Sequence, residues 1–206
     1  MHKISSVIFD LGGVLLDLDQ DKTLRAFNRL GLDLDELNEQ STLFKDFETG
    51  KINAADFRQA IQTASRGQLT VGQIDDAWNK MLLFVANQRF DILAKLRKDV
   101  KIFLLSNTNS IHIDWFKTYI EEIYGWVNWC ALFEHQFLSY ETGLRKPNPA
   151  IYEHVISTIG IDAKACLFVD DNKANINGAK SVGLQTIWAK NPLNLHLYEQ
   201  IKQHLA

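Results

Sequence analysis

From about residue 89 to residue 188, short apolar runs rich in β-branched residues alternate with amphipathic helical segments. A block without a convincing strand, from about residue 20 to residue 86, interrupts that alternation after a single opening strand. These two observations predict an α/β fold: a doubly wound parallel sheet with an inserted helical-bundle cap after its first strand. A third agrees with them. Three of the strand-like runs end directly in Asp10, Ser106 and Asp170-Asp171, and ligands of open parallel sheets bind beyond the carboxyl ends of the strands. The expected partition is residues 1–16 and 88–206 for the α/β core and residues 17–87 for the cap.

Residues 4–9 (Ile-Ser-Ser-Val-Ile-Phe) read as a buried strand that stops at the glycine-rich Asp10-Leu11-Gly12-Gly13. Leu24, Phe27 and Leu30 recur at helical spacing, with Gly31 as the stop. Further helical stretches are expected near 34–48 and 53–65. Trp78, Met81, Leu82 and Val85 form a stripe at i, i+3, i+4 and i+7, the expected last helix of a block of about four. A helix near 89–98 then precedes a strand at 100–105 that runs into Ser106-Asn107. A helix near 110–120 and a short strand at 137–139 follow. Asn148 is a predicted N-cap with Pro149 in the first helical position, Gly160 closes that helix, and Ile151, Val155 and Ile159 form its core face. Residues 166–169 are the next strand, leading into Asp170-Asp171. Ile176, Ala179 and Val182 mark a short helix stopped by Gly183, and residues 184–188 are the last strand.

Composition narrows the class of function. The 206 residues are 46% apolar and 23% charged, a globular balance, with a net charge of −3. That leaves no electrostatic footprint for nucleic acid or an anionic membrane. No apolar run approaches a membrane span, and Asp10 interrupts the N-terminal apolar segment as no signal peptide would. Cys130 and Cys166 sit in apolar surroundings and read as buried free thiols suited to a reducing compartment, so a cytoplasmic location is expected. The six histidines show no zinc-type pairing.

Taken singly, the strand-end residues have ordinary readings: Asp10 as a loop former, Ser106 as a turn residue, Lys146 as a solvated loop lysine, Asp170-Asp171 as a helix cap. Taken together they suit phosphoryl transfer. A carboxylate can attack phosphorus and form an aspartyl phosphate. A phosphate dianion must approach that anion, so cations are needed. Carboxylates can hold one Mg²⁺, a lysine supplies a compact second charge, and a hydroxyl with backbone amides completes a phosphate cradle. Two adjacent acids at a strand end repel unless a cation lies between them.

The four segments that carry this chemistry are Phe9-Asp10-Leu11-Gly12-Gly13-Val14, Leu105-Ser106-Asn107-Thr108-Asn109, Arg145-Lys146-Pro147 and Phe168-Val169-Asp170-Asp171-Asn172. In type and order they resemble the motifs of the haloacid dehalogenase-like hydrolase superfamily. They are similar to those of a bacterial subgroup of sugar-phosphate phosphatases that includes α-D-glucose-1-phosphate phosphatases. The resemblance implies a Rossmann-like core under a helical cap and a small phosphorylated metabolite as substrate. By the same resemblance Asp10 is the nucleophile, and Ser106 with the backbone of Asn107 binds the phosphoryl oxygens. Lys146 then neutralises nucleophile and phosphate. Asp170 and Asp171 hold Mg²⁺ with Asp10 and the carbonyl of Gly12, one of the two acids through water. Asn175 either orients these acids or is an exposed helix residue.

One position departs from the pattern. Phosphatases of this superfamily carry a second Asp two residues after the nucleophile, which protonates the leaving oxygen and later activates water; here that position is Gly12. Three readings follow. A weakly basic leaving group, such as an anomeric sugar oxygen, needs less help. Alternatively another acid substitutes, Asp17 and Asp19 being nearest in sequence, although Asp17 also reads as a turn residue. Or the protein chiefly binds its phospholigand without turnover. A haloacid dehalogenase, which attacks carbon and needs no divalent metal, is the other enzymatic alternative. His112 follows the Ser-Asn-Thr-Asn run near the expected site entrance, and Trp126 and Trp129 read as core or interface residues.

Overall fold

A computed structural model describes residues 3–205, leaving aside the side chains of Asn38 and Gln40. Five parallel strands form one sheet: β1 (Ser6–Phe9), β2 (Lys101–Ser106), β3 (His135–Leu138), β4 (Cys166–Asp170) and β5 (Gln185–Trp188), in the order β3-β2-β1-β4-β5. β1 is therefore central. Ile8 pairs with Phe103 on one side and Phe168 on the other, so the carboxyl ends of β1, β2 and β4 lie side by side.

Alternate residues of each strand face opposite cores, as the period-2 geometry of a strand requires. Val7, Phe9, Ile102, Leu104, Leu167 and Val169 enter one apolar cluster. Ile8, Phe103, Leu105, Cys166 and Phe168 enter the other. Both faces are covered, which is why these strands read as continuous apolar runs.

The helices of the inserted block are α1 (Gln20–Arg29), α2 (Leu34–Gln40), α3 (Leu43–Glu48), α4 (Ala54–Ala64) and α5 (Val71–Trp78). They bury a third cluster that includes Phe27, Phe47, Phe57, Ile61, Ile74 and Trp78. Around the sheet follow α6 (Asn87–Leu96), α7 (Ser110–Ile123), α8 (Trp126–Cys130), α9 (Ser139–Thr142), α10 (Pro149–Ile159), α11 (Lys173–Ser181) and α12 (Leu195–Leu205). The first cluster packs α6, α7 and α12 on one sheet face, and α10 and α11 cover the other. Asn148 caps α10 with its side chain, Pro149 follows it, and Gly160 ends the helix at φ +65°. The described residues contain no helix long and apolar enough to cross a membrane.

Several sequence expectations are corrected. The stretch 34–48 is two helices, because Ser41 adopts extended backbone and Thr42 restarts the chain at α3. The stripe from Trp78 to Val85 is not a helix. α5 ends at Trp78, a single 3₁₀ turn covers Asn79–Met81, and Leu82 is extended. This returning segment pairs with the outgoing linker: Asp17 donates to Phe84, Leu83 to Asp17, and Asp19 to Met81, each through the backbone. Tertiary pairing of the two linkers thus overrides the helical spacing. The strand expected at 137–139 is shifted to His135–Leu138, and Ser139 begins α9. The short helices α8 and α9 and the terminal α12 had no counterpart in the sequence reading. Cys166 is buried, but Cys130 is only half-buried. Trp129 is fully buried against Phe116 at a ring separation of 5.2 Å, which makes it a core residue.

Buried Arg89 ties the linker to the sheet domain. Its guanidinium donates to the carbonyls of Leu15 (3.0 Å) and Leu193 (3.3 Å) and to the Asp17 carboxylate (2.7 Å). Removing it would strand Asp17 and two carbonyls. Arg89→Ala is expected to lower unfolding free energy by about 3 kcal/mol, read as a fall in the urea midpoint. A midpoint equal to the wild type would remove Arg89 from the fold's supports.

Candidate active site

β1 delivers Asp10 to the sheet's carboxyl edge, where the Asp10 amide donates to the carbonyl of Val169 at 2.9 Å. Its Oδ1 accepts from the Leu11 amide at 2.7 Å and from Lys146 Nζ at 2.7 Å. Oδ2 takes no hydrogen bond from the described residues, and Asp10 lines a cavity. The carboxylate is therefore held by one oxygen and has the other available. Burial pushes its pKa up to about 7 despite Lys146, with Asp170 adding to the rise.

Lys146 is buried, and its three ammonium donors are all engaged: Asp10 Oδ1, Asp170 Oδ2 at 2.8 Å and the carbonyl of Leu105 at 2.9 Å. Burial works against the ammonium, but attraction to the two carboxylates outweighs it and holds the pKa above that of an ordinary lysine. The side chain of Asn107 clasps the backbone of this residue. Its Oδ1 accepts from the Lys146 amide and its Nδ2 donates to the Lys146 carbonyl, both at 2.9 Å. An Asn beside a strand end gives no hint of such a clasp, so sequence reasoning assigned only the Asn107 backbone.

Asp170 is fully buried at the end of β4. Its Oδ1 accepts from the Asn172 amide at 2.8 Å, and Asn175 Nδ2 reaches both its oxygens at 3.1 Å. Asn175 is buried, not an exposed helix residue, and its own carbonyl accepts from Tyr152 Oη at 2.8 Å. Asp171 is exposed and lines the cavity; desolvation, then Asp170, raises its pKa. Oxygens of Asp10, Asp170 and Asp171 all lie within 4.8 Å of one another. Three hard carboxylate donors at this spacing fit a small divalent cation such as Mg²⁺. Gly13 makes the approach possible. It sits at φ +74°, and a Cβ there would stand 2.1 Å from Asp171 Oδ2.

Gly12 is different. It is not in the left-handed region, but an added Cβ would lie 2.5 Å from Leu18 Cδ1. An apolar side chain from the linker thus occupies the space beside the position where the superfamily's acid projects. The nearest acids are also committed elsewhere. Asp17 pairs with Arg89, and Asp19 sits 3.6 Å from Arg25; neither lines the cavity. His112 does line it, but Nε2 lies 3.2 Å from the Trp78 carbonyl and Nδ1 3.2 Å from Asn109 Nδ2. Burial lowers its pKa to about 4, so the ring is neutral, with Nε2–H donating and Nδ1 accepting.

The cavity measures about 460 Å³. Its strand-end side carries Asp10, Gly12, Ser106, Asn107, Lys146, Asp171 and Asn175. The helical block contributes Phe44, Glu48, Trp78 and others. Ser106 is buried and its hydroxyl makes no hydrogen bond within the described residues. Glu48 Oε2 lies 2.9 Å from Arg145 Nη2, which joins the block to the loop that carries Lys146. Burial raises the Glu48 pKa although Arg145 and Lys146 oppose it. Glu48 was not singled out from sequence, because a glutamate at a helix end carries no signal of its own.

Comparison with known proteins agrees with this site. Residues 4–183 match the family model of the haloacid dehalogenase-like hydrolases. A D-ribitol-5-phosphate phosphatase of Bacteroides thetaiotaomicron is 32% identical over 91% of this chain and 93% of its own length. A haloacid dehalogenase family enzyme from the same organism, solved in complex with magnesium and inorganic phosphate, superposes with a TM-score of 0.85 at 33% identity. That alignment covers 94% of this chain and 98% of the other. A family hydrolase of Porphyromonas gingivalis gives a TM-score of 0.87 at 30% identity, with 98% of both chains covered. The chain belongs to the haloacid dehalogenase-like hydrolases.

The Leu18 contact predicts a specific coupling. Gly12→Asp alone should cost about 1–3 kcal/mol by overpacking. Combined with Leu18→Ala it should cost less than the two single changes added together, as a double-mutant cycle of urea denaturation would show. Strict additivity would mean that Leu18 does not guard position 12.

Proposed function

We propose that the chain is a Mg²⁺-dependent phosphatase of small phosphorylated metabolites, in the sugar and polyol phosphate class, acting through an aspartyl phosphate on Asp10. The observation that carries this reading is the convergence of Asp10, Asp170 and Asp171 on one spot beside the buried Lys146. The relatives support it, one by its printed activity and another by its magnesium and phosphate.

In this reading Asp10 Oδ2 attacks phosphorus while Oδ1 stays anchored on Leu11 and Lys146. The Ser106 hydroxyl and the Asn107 backbone hold the phosphoryl oxygens. Lys146 offsets the charge of the nucleophile and opposes its protonation. Asp171, whose carboxylate is not spent on other side chains, would hold the metal with Asp10 and the Gly12 carbonyl. Asp170, whose oxygens are taken up by Lys146, Asn172 and Asn175, would support the metal with Asp171 or through water. When bound, Mg²⁺ supplies the positive charge that lets a phosphate dianion approach a carboxylate. Residues 17–87 act as the cap that selects the organic part, and residues 1–16 and 88–206 as the catalytic core. Glucose 1-phosphate remains one candidate substrate, and a polyol phosphate such as that named for the B. thetaiotaomicron relative is another. A dehalogenase would have no use for a metal-type acid pair.

Two outcomes test this. Asp10→Asn should fold and lose phosphate release by at least about 10³, and acid-quenched wild-type protein should carry acyl phosphate on Asp10. Phosphate release that survives chelation would sink the metal-dependent reading. Mg²⁺ should also compete with a proton at Asp10. With a pKa near 7, the carboxylate is increasingly protonated as pH falls, so Mg²⁺ affinity should drop about tenfold per unit below pH 7. Titration calorimetry between pH 5.5 and 8 reads this directly, and a flat affinity would contradict it.

A further inference from the structure

We propose that Glu48, carried by the inserted helical block, is the proton carrier that position 12 lacks: it protonates the leaving oxygen and then deprotonates the attacking water. The inference rests on the phosphatase reading above. A weakly basic leaving oxygen relieves only the first of these needs. Hydrolysis of the aspartyl phosphate requires a base whatever the substrate was.

In-line displacement places the leaving oxygen opposite the nucleophile, and water later attacks from that same side. Asp10 lies at the strand ends, so the second position lies toward the helical block. Glu48 lines the cavity from that block. Of the other acids, Asp17 pairs with Arg89, Asp19 lies outside the cavity and Asp171 belongs to the metal-type cluster; Asp35 also lines the cavity from the block, but it is exposed in the first turn of α2 and no side chain of the described residues holds its carboxylate, whereas Arg145 holds that of Glu48. Both nitrogens of His112 are engaged. Leu18 fills the space beside Gly12, so a base cannot enter from there.

Glu48 is also held in place. Gly50, at φ +66°, lets α3 approach the core so closely that a Cβ would stand 2.2 Å from the Tyr140 carbonyl oxygen. Oε2 faces Arg145, while Oε1 takes no hydrogen bond from the described residues. The charged groups around it are Arg145 and, farther off, Lys146 from the core, with Lys45 and Asp46 on its own helix. Asp46 is itself paired with Lys51 at 3.3 Å. Burial favours the protonated carboxyl, which suits a group that must both give and take a proton.

The cycle balances. In the first step Asp10 Oδ2 bonds to phosphorus, the bond from phosphorus to the ester oxygen breaks, and the Glu48 carboxyl gives its proton to that oxygen. In the second, water gives a proton to the Glu48 carboxylate as its oxygen bonds to phosphorus. The bond from phosphorus to Asp10 then breaks, releasing inorganic phosphate and restoring both carboxyl groups.

The test uses the full chain with Mg²⁺ and p-nitrophenyl phosphate, whose leaving group needs little protonation. Glu48→Gln, which keeps an acceptor for Arg145, should release a burst of about one nitrophenol per site, then turn over roughly 10²–10⁴ slower than wild type. Acyl phosphate should accumulate on Asp10 during the slow phase. Glu48→Ala, with folding checked by circular dichroism, should be accelerated by added formate. A wild-type kcat in Glu48→Gln, a raised KM with unchanged kcat, or indifference of Glu48→Ala to formate would overturn the assignment. No nitrophenol release by the wild type would instead defeat the phosphatase reading, and the two failures are thereby distinct.

Discussion

The buried ammonium of Lys146 is the constraint around which the rest of the site is arranged. An unpaired charge at 1% exposure would carry a severe desolvation penalty. It is tolerable because Asp10, Asp170 and the Leu105 carbonyl each accept one hydrogen bond from it at 2.7–2.9 Å. Those partners come from the ends of β1, β4 and β2, three adjacent strands of the sheet. The strand order is therefore what permits the lysine to be buried. Asn107 fixes its backbone, and Asn175 with Tyr152 fixes Asp170. With the lysine fully committed, its charge sits between two carboxylates at short range, and the edge of that cluster is exposed through Asp171.

The helical block sits over this arrangement by means unlike those that build the core. The two linkers pair with each other through backbone hydrogen bonds, and Arg89 locks the outgoing one. Trp78 then stacks on His112 at 5.2 Å, and its indole donates weakly to Asn109 at 3.4 Å. Ile111 of α7 enters the apolar cluster of the block, so the two parts share packing and not only polar contacts. Glu48 and Arg145 pair across the two parts along the cavity wall. The helical block thus lines the cavity with Phe44, Trp78 and Met81 as apolar wall, and Asp35 and Glu48 with Arg145 of the core are charged features beside them.

Much of this was readable from residue order alone. The sheet strands announced themselves because both faces are buried, which demands uninterrupted apolar runs ending where the chemistry begins. Asp10, Ser106 and Asp170-Asp171 were recognisable because they close strand-like runs, and Lys146 because a cluster of acids calls for a cation beside it. Gly12 was visible as a departure, but its cause was not. The left-handed backbone of this turn belongs to Gly13, and Gly12 is limited by Leu18 instead.

What residue order determined was everything local: periodicity, caps, strand ends and the identity of the reactive groups. What only the tertiary structure decided was which of those groups are free to react. Asp17 and His112 looked available until Arg89, Trp78 and Asn109 were placed against them. Glu48 carried no signal at all until α3 packed on the core and set it against Arg145. The reason is physical: a residue's type fixes the bonds it can make, whereas its partners come from segments far away in the chain. The distance between Glu48 and Arg145, or between Asp17 and Arg89, exists only after the chain has closed on itself.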